Sequence, residues 1–136
     1  MNTPVMIDLC KFSSNEQYNI FDQVKDTAYI CVLDFYANWC APCVCLAARI
    51  ENEIKDYPKI ANMVHSDLSM TGDSYKDKIV FLKINVDIHT DISDSHKIDK
   101  IPHLFIYHNG KLEQQTERNF TGLVTHLHEL IDDKRY

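Results

Sequence analysis

The sequence predicts an α/β domain with a central mixed β-sheet of about five strands and about four helices spread over both faces. Residues 29–37 and 78–87 are near-continuous runs of β-branched and aromatic side chains, which is typical of strands buried on both sides. A segment with helical spacing of apolar residues follows each run, and this alternation favours helices packed on a sheet. The sequence HNGK at 108–111 indicates a tight hairpin and therefore antiparallel strands.

Length, charge and cysteine count narrow the class of protein. A chain of 136 residues suffices for one domain with a sizeable core. The net charge of -6 disfavours nucleic acid as a partner, because phosphate backbones are bound by clustered Lys and Arg. No apolar run approaches the roughly 20 residues that cross a bilayer, and the N-terminus does not resemble a signal peptide, so we expect no membrane contact. Five cysteines, an odd and sparse count, favour a reducing compartment such as the cytoplasm.

The first elements follow from local patterns. Residues 5–10 alternate weakly and fit an edge strand. Ser13 or Ser14 then caps a helix that runs to about Lys25. The first central strand, at 29–37, is interrupted by one acid, Asp34.

The period changes after the first central strand. From Pro42 to about Tyr57 the spacing of apolar residues predicts a helix. Residues 58–78 begin with a short helical turn and become polar, so we expect an exposed insertion there. The apolar positions that predict the helix are Val44, Leu46, Ala47, Ile50 and Ile54.

The C-terminal half completes the pattern. Residues 90–98 predict a short helix, and 104–108 and 111–115 predict the strands of the hairpin. Thr121 caps or precedes a last helix with leucines on one face. The order βαβαβαββα, with one central sheet, predicts a single domain over residues 1–136.

Cys40 and Cys43 stand where a strand gives way to a helix. The partial positive charge at a helix N-terminus favours the thiolate and can lower a cysteine pKa from about 8.5 toward about 7. Cys40 is therefore the candidate nucleophile. Cys43 lies one turn further along the same face, close enough to form a disulfide and more shielded, which makes it the candidate resolving thiol.

Four segments in register resemble the thioredoxin family: DFYANWCAPC at 34–43, KINVD at 83–87, KIPHLFIYHNGK at 100–111 and FTGL at 120–123. The resemblance covers nearly the whole chain except 58–78. It implies a thioredoxin fold and a protein-disulfide reductase that works through a reversible Cys40–Cys43 disulfide. It also implies disulfide-containing protein substrates, no bound cofactor, and reduction by a separate thioredoxin reductase that draws on NADPH.

The resemblance assigns roles to further residues. An acid in a buried strand has a raised pKa, and Asp34 matches the family's buried aspartate, which accepts a proton from Cys43; the alternative is a solvated acid at a strand end. Lys83 matches the lysine beside that acid. Pro102 matches a cis-proline that faces the cysteines, against the alternative of an ordinary trans-proline. The remaining docking surface would comprise Trp39, Ala41, Pro42, Ile101 and Gly122.

Two other classes of function stay open. A metal-binding module could use Cys40, Cys43 and Cys45 with a histidine, although Cys45 lies about 200° around the helix from Cys43 and is expected to be buried as a small hydrophobe. An interaction subunit could use the segment 58–78 for docking. The residues in that segment that suggest docking are His65, Met70 and Tyr75.

Several histidines and cysteines remain without a firm role. His103 follows Pro102, where an imidazole could stabilise the Cys40 thiolate; a surface histidine is the alternative. His126 and His128 face different ways on a helix and make a poor metal pair. Cys31 is expected to be buried in its strand, and Cys10 to be half-exposed.

Overall fold

The computed structural model describes residues 4–68 and 75–133. Within them the chain forms five β-strands and five α-helices, in the order that the sequence predicts apart from one additional short helix. One 3-10 turn follows the first strand at Leu9–Lys11, and a second follows the second helix at Ile54–Asp56. In chain order the elements are β1 Met6–Asp8, α1 Ser14–Thr27, β2 Ile30–Tyr36, α2 Ala41–Glu53, α3 Pro58–Ala61, β3 Ile79–Asn85, α4 Thr90–Ser95, β4 His103–His108, β5 Lys111–Leu112 and α5 Phe120–Asp132.

The five strands form one mixed sheet in the order β1-β3-β2-β4-β5. The strands β1, β3 and β2 are parallel, whereas β4 runs antiparallel to β2 and β5 antiparallel to β4. All residues of β2 are buried, as its apolar composition predicts. The predicted α/β fold class is confirmed.

The helices divide between the two faces of the sheet. Leu46 and Ile50 of α2 pack with Leu123 of α5 against one face, and α3 joins them. Val24 of α1 and Ile92 of α4 pack against the other face. Alternate residues of β2 contribute to the two cores because successive side chains of a strand point to opposite faces. Among the described residues, no helix has the length and apolar character needed to cross a membrane.

The segment after α2 is less exposed than its polar composition suggests. Ile60 and Tyr75 have 0% and 1% of their surface exposed and belong to the core. Val64 forms a parallel bridge with Ile79, so the chain beside the sheet continues the hydrogen bonding of β3. The prediction that 58–78 forms an exposed excursion is therefore wrong at these positions, since an aromatic and two aliphatic side chains have apolar surface to bury there. Met70 lies outside the described residues.

The hairpin is shorter than predicted. Asn109 and Gly110 both have positive φ, 52° and 81°, as a tight primed turn requires. The strand β5 ends at Leu112, however, and does not reach 115. The chain returns to the sheet at Glu117, which exchanges two backbone hydrogen bonds with Leu104.

The N-terminal end of α5 is capped by Asn119. Its side-chain oxygen accepts a hydrogen bond from the Gly122 N–H at 2.8 Å. Thr121, the predicted cap, instead lies exposed inside the first turn. Both residue types favour capping positions, but Asn119 has the extended backbone (φ -144°, ψ 167°) that a cap needs.

We expect Asn119→Ala to lower the free energy of unfolding by about 1 kcal/mol, because a free N–H of the first turn loses its acceptor. Thr121→Ala is the matched control, and its effect should lie within about 0.5 kcal/mol, since alanine is favoured inside a helix. Urea denaturation of the full chain measures both. Equal losses in the two variants would contradict the assignment of the cap.

Candidate active site at the start of α2

The two cysteines at the start of α2 form a disulfide in this structure. Cys40 is the N-cap residue, and Cys43 lies in the first turn, with 5.2 Å between their Cα atoms. The Cys40 Sγ accepts a hydrogen bond from the Cys43 N–H at 3.2 Å. A sulfur in this position takes the place of a capping oxygen, and its anionic form gains most from the unpaired N–H groups and the helix dipole. The geometry therefore favours a thiolate at Cys40 in the reduced protein.

The disulfide is flanked by an exposed apolar surface. Trp39 is 72% exposed, and its indole N–H donates to the Asp87 carboxylate at 2.8 Å. Ala41 and Pro42 are also exposed. Because Cys40 and Cys43 are only 5% and 2% exposed, a partner has to approach through this surface.

The second side of this surface is the loop before β4. The Ile101–Pro102 peptide bond is cis, and both residues are half-buried. Ile101 packs against the cluster that contains both cysteines. A groove of about 260 Å³ lies between Trp39 and this loop, with Val86 and Ile98 among its apolar lining residues. The structure thus brings Trp39 and Ile101 to one surface, and its use in docking stays a prediction.

Asp34 is buried in β2, on the face of the sheet that α2 covers. It is 1% exposed, and within residues 4–68 and 75–133 neither of its carboxylate oxygens has a hydrogen-bond partner. Burial raises the pKa of Asp34 to about 7, Lys83 acts to lower it, and Asp8 adds to the increase. The alternative of a solvated strand-end acid is therefore wrong.

Lys83 is in register with Asp34 on the neighbouring strand β3. Its ammonium lies 4.3 Å from the centre of the Tyr36 ring. Lys83, Tyr36 and Cys43 line one partly enclosed cavity of about 150 Å³. A cavity with these polar groups is large enough to admit water, which would connect this side of Cys43 to solvent.

The structure explains why position 122 is a glycine, which the sequence alone did not reveal. A Cβ atom at this position would collide with the carboxylate of Glu117. Glu117 is itself buried and accepts a hydrogen bond from Gln115, and His126 lies 2.8 Å from the same carboxylate. The glycine thus makes room for a buried acid beneath α5, and its role in docking stays a prediction.

Cys45 is exposed, contrary to the prediction that it is buried. The buried stripe of α2 runs through Cys43, Leu46 and Ile50. Cys45 is about 200° around the helix axis from Cys43 and about 100° from Leu46, so it lies away from that stripe and faces solvent. Val44, which is about 100° from Cys43, also lies away from the stripe and is 60% exposed.

The metal-binding alternative requires several ligand side chains to converge on one point. In the parts of the chain that the structure describes, no three side chains of the types His, Cys, Asp or Glu converge as metal ligands would. Both ring nitrogens of His126 face carboxylates, those of Glu117 and Glu113.

His103 does not point toward Cys40. Its ring packs on Phe105 with 4.5 Å between the ring centres, and its Nε2 lies 2.7 Å from the Thr116 hydroxyl. Phe105 belongs to the core on the α1 and α4 face, opposite the face that α2 covers. Because residues 103 and 105 of a strand share a face, the hypothesis that this imidazole stabilises the Cys40 thiolate is wrong. Cys31 is buried and Cys10 is half-exposed, as predicted.

Three side chains near the site were not identified from the sequence. Tyr36 donates its hydroxyl to Asp8 at 2.5 Å, and Asp87 anchors Trp39. Tyr36 and Asp87 lie at the ends of recognised strand runs, so a search for polar groups at strand ends would have found them. The position of Asp8 near the site depends on the register of β1 against β3, which cannot be read from a local sequence pattern.

Residues 11–132 match the family model described as Thioredoxin. The chain is 30% identical to Thioredoxin of Coprinus comatus over 104 residues, which cover 76% of this chain and 82% of that protein. It is 33% identical to Thioredoxin-T of Drosophila melanogaster over 79 residues, or 58% of this chain. The structure of the Malassezia sympodialis thioredoxin (Mala s 13) superposes with a TM-score of 0.66 at 23% identity, covering 96% of this chain and 95% of that one. The chain belongs to the thioredoxin family and has the thioredoxin fold.

The length of chain that is shared differs between these relatives. The match spans 38% of Thioredoxin-T, so this chain corresponds to well under half of that protein. Its relation to the Coprinus comatus thioredoxin, in contrast, extends over most of both proteins.

We expect the Asp34→Asn variant to become more stable relative to the parent chain as the pH rises. The quantity compared is the free energy of unfolding. The pKa of about 7 in the folded chain lies above the 3.8 of an unperturbed aspartate, so the parent chain loses stability as the pH rises from about 4 to about 7. The difference between the two proteins should therefore grow by about 4 kcal/mol between pH 4 and pH 8. Denaturant unfolding of the oxidised proteins at several pH values measures it.

Asp91→Asn is the control for this prediction. The Tyr18 hydroxyl holds the pKa of the exposed Asp91 carboxyl below its usual range, so any pH-dependent change should have the opposite sign. A constant difference between Asp34→Asn and the parent chain from pH 4 to pH 8 would contradict the assignment of a raised Asp34 pKa.

Proposed function

We propose that this protein is a thiol-disulfide oxidoreductase that reduces protein disulfides through the Cys40–Cys43 pair. The observation that carries the proposal is the position of the Cys40 sulfur as the cap of α2, with Cys43 bonded to it. Membership of the thioredoxin family supports the same activity.

The first step of the proposed reaction is attack by the reduced Cys40. Its thiolate attacks one sulfur of a substrate disulfide, a mixed disulfide forms, and the other substrate sulfur leaves as a thiolate that takes up a proton. The helix N-terminus supports this step because it favours the ionised sulfur at neutral pH. Trp39 and the Ile101–Pro102 loop would hold the substrate segment beside the sulfur.

The second step releases the product. Cys43 loses its proton and attacks the Cys40 sulfur, so the Cys40–Cys43 disulfide forms and the second substrate thiol departs. Asp34 is the proposed acceptor for the Cys43 proton, since a carboxyl with a pKa of about 7 can take up a proton near neutral pH. Two electrons have then passed from the protein dithiol to the substrate.

The cycle requires a donor of two electrons. We propose that a separate thioredoxin reductase supplies them from NADPH, that the protein itself binds no cofactor, and that it acts in the cytoplasm. A reducing compartment suits this chain because Cys10 and Cys45 are at least partly accessible thiols in addition to the redox pair.

A role as an interaction subunit has less support. Of the three residues that suggested docking, Tyr75 is buried in the core and His65 packs beside its ring at 5.8 Å between ring centres. These two side chains are therefore committed to the fold, and the segment offers no described aromatic group for a partner.

We expect Cys40→Ser to abolish the reduction of insulin disulfides in an assay with dithiothreitol as the electron donor, because the attacking sulfur is absent. Cys43→Ser should instead accumulate a mixed disulfide with the substrate, since attack occurs but release does not. The accumulation of insulin precipitate and the mass of the trapped adduct measure the two effects.

Cys45→Ser is the matched control, because it removes a third thiol from the same helix and leaves the redox pair intact. It should keep the parent rate within about twofold, a difference of well under 1 kcal/mol in barrier height. Full activity in Cys40→Ser would rule out the proposed reaction and favour an interaction role.

The reduction potential of the pair should lie near about -270 mV and well below the value of about -120 mV that is typical of an oxidant. Equilibration against glutathione, followed by thiol alkylation and mass analysis, measures this potential. A value close to that of an oxidant would indicate that the protein forms disulfides.

A further inference from the structure

Three charged side chains form a row across the neighbouring strands β1, β3 and β2. Asp8 is in register with Lys83, and Lys83 is in register with Asp34. Side chains at matched positions of parallel strands point to the same face, so the lysine stands between two carboxylates. The row lies on the face covered by α2, where Met6, Val32 and Phe81, each two residues earlier, belong to the core.

The ammonium group of Lys83 is held over an aromatic ring. It lies over the Tyr36 ring at 4.3 Å, a distance at which the ring face attracts a cation. The Tyr36 hydroxyl donates to the Asp8 carboxylate at 2.5 Å. The second Asp8 oxygen accepts the Cys10 N–H at 3.0 Å, which fixes the carboxylate and with it the tyrosine.

Asp34, at the other end of the row, is left without a hydrogen-bond partner among the described residues. A lysine side chain is long and flexible enough to reach a carboxylate on the adjacent strand, where it would form a charge-assisted hydrogen bond. Such a bond would stabilise the ionised acid and make it a weaker proton acceptor. The position of Lys83 therefore decides how readily Asp34 takes up a proton.

We propose that Asp8 and Tyr36 are positioning residues that hold Lys83 away from Asp34, so that Asp34 stays unpaired and able to accept the Cys43 proton. This inference rests on the proposed function for its consequence in catalysis, but the effect on Asp34 exists without it. Asp8 and Tyr36 act on Asp34 through Lys83, although Tyr36 also packs in the cluster that contains Cys40 and Cys43.

The other groups around Asp34 do not take over the role proposed for Asp8 and Tyr36. Leu104, its partner on β4, is apolar, and Phe120 of α5 belongs to the same core. The negative charge of Asp8 also acts directly on Asp34 and raises its pKa. Among the described residues, the charged or titratable groups around this row include Lys83 on β3, Asp8 on β1, Tyr36 on β2, Cys10 in the turn after β1, and Cys40 and Cys43 at the start of α2.

The test is the titration of the Asp34 carboxyl, followed by carbon-detected NMR in the full-length oxidised chain. Asp8→Asn should lower the Asp34 midpoint by about 0.3 to 1 pH unit, because two strand spacings, about 10 Å, separate the charges and Lys83 is released toward Asp34. Tyr36→Leu should lower it as well, since the ring that holds the ammonium is absent. Tyr36→Phe keeps that ring and should give the smaller shift of the two.

Asp91→Asn is the matched control, because it also removes one carboxylate that accepts a tyrosine hydroxyl, at 2.6 Å from Tyr18. It should leave the Asp34 midpoint unchanged within 0.1 pH unit, a limit of about 0.14 kcal/mol. An unchanged or raised midpoint in folded Asp8→Asn, or an equal shift in Asp91→Asn, overturns the proposal. If Tyr36→Leu does not fold, Asp8→Asn and Tyr36→Phe still decide it.

A kinetic measurement separates this inference from the proposed function. In Asp8→Asn, the pH at which the mixed disulfide is resolved at half its maximal rate should move in the same direction as the Asp34 midpoint. A shifted midpoint in a protein that reduces no disulfide would refute the proposed function alone. An unshifted midpoint in an active protein would refute the role of Asp8 and Tyr36 alone.

Discussion

The hydrogen bond from the Cys43 N–H to the Cys40 sulfur is the interaction on which the site depends. A helix begins with N–H groups that lack intrahelical partners, and here one of them is satisfied by a cysteine side chain. The bond fixes the sulfur at the positive end of α2 and fixes Cys43 one turn away. Everything else in the site is arranged around this point: the apolar surface of Trp39 and Ile101 on the outside, and the buried carboxyl of Asp34 on the inside.

The buried side of the site contains a carboxyl group that lowers the stability of the fold. Asp34 is buried without a hydrogen-bond partner in the described chain, and such a carboxyl costs free energy whenever it is ionised. The surrounding apolar core compensates for this cost: both cores of the sheet contain fully buried aromatic and aliphatic side chains. A fold that keeps such an acid at its centre gives up stability near neutral pH in exchange for a group that can exchange protons there.

The strands, the main helices and the hairpin turn could be predicted because each has a local cause. The buried runs at β2 and β3, the proline in the first turn of α2 and the pair Asn109-Gly110 each restrict the backbone by themselves. The features that were missed depend on packing. The rotation of α2 about its axis, which exposes Cys45, is set by the side chains that the sheet accepts, and the pattern of apolar residues alone allowed Val44 to be placed on the wrong face. Tyr75 was assigned to a polar loop because its burial follows from distant contacts with the sheet.

The two edges of the sheet are closed to further strands in different ways. At β1, the carboxylate of Glu51 on α2 accepts the N–H groups of Val5 and Met6 at 2.8 Å each. Backbone donors at the start of this edge strand are therefore already occupied by a side chain of the protein itself. At the opposite edge, β5 has only two residues, Lys111 and Leu112, one of them charged. A chain whose central strands are almost wholly apolar is in this way protected against edge-to-edge association and aggregation.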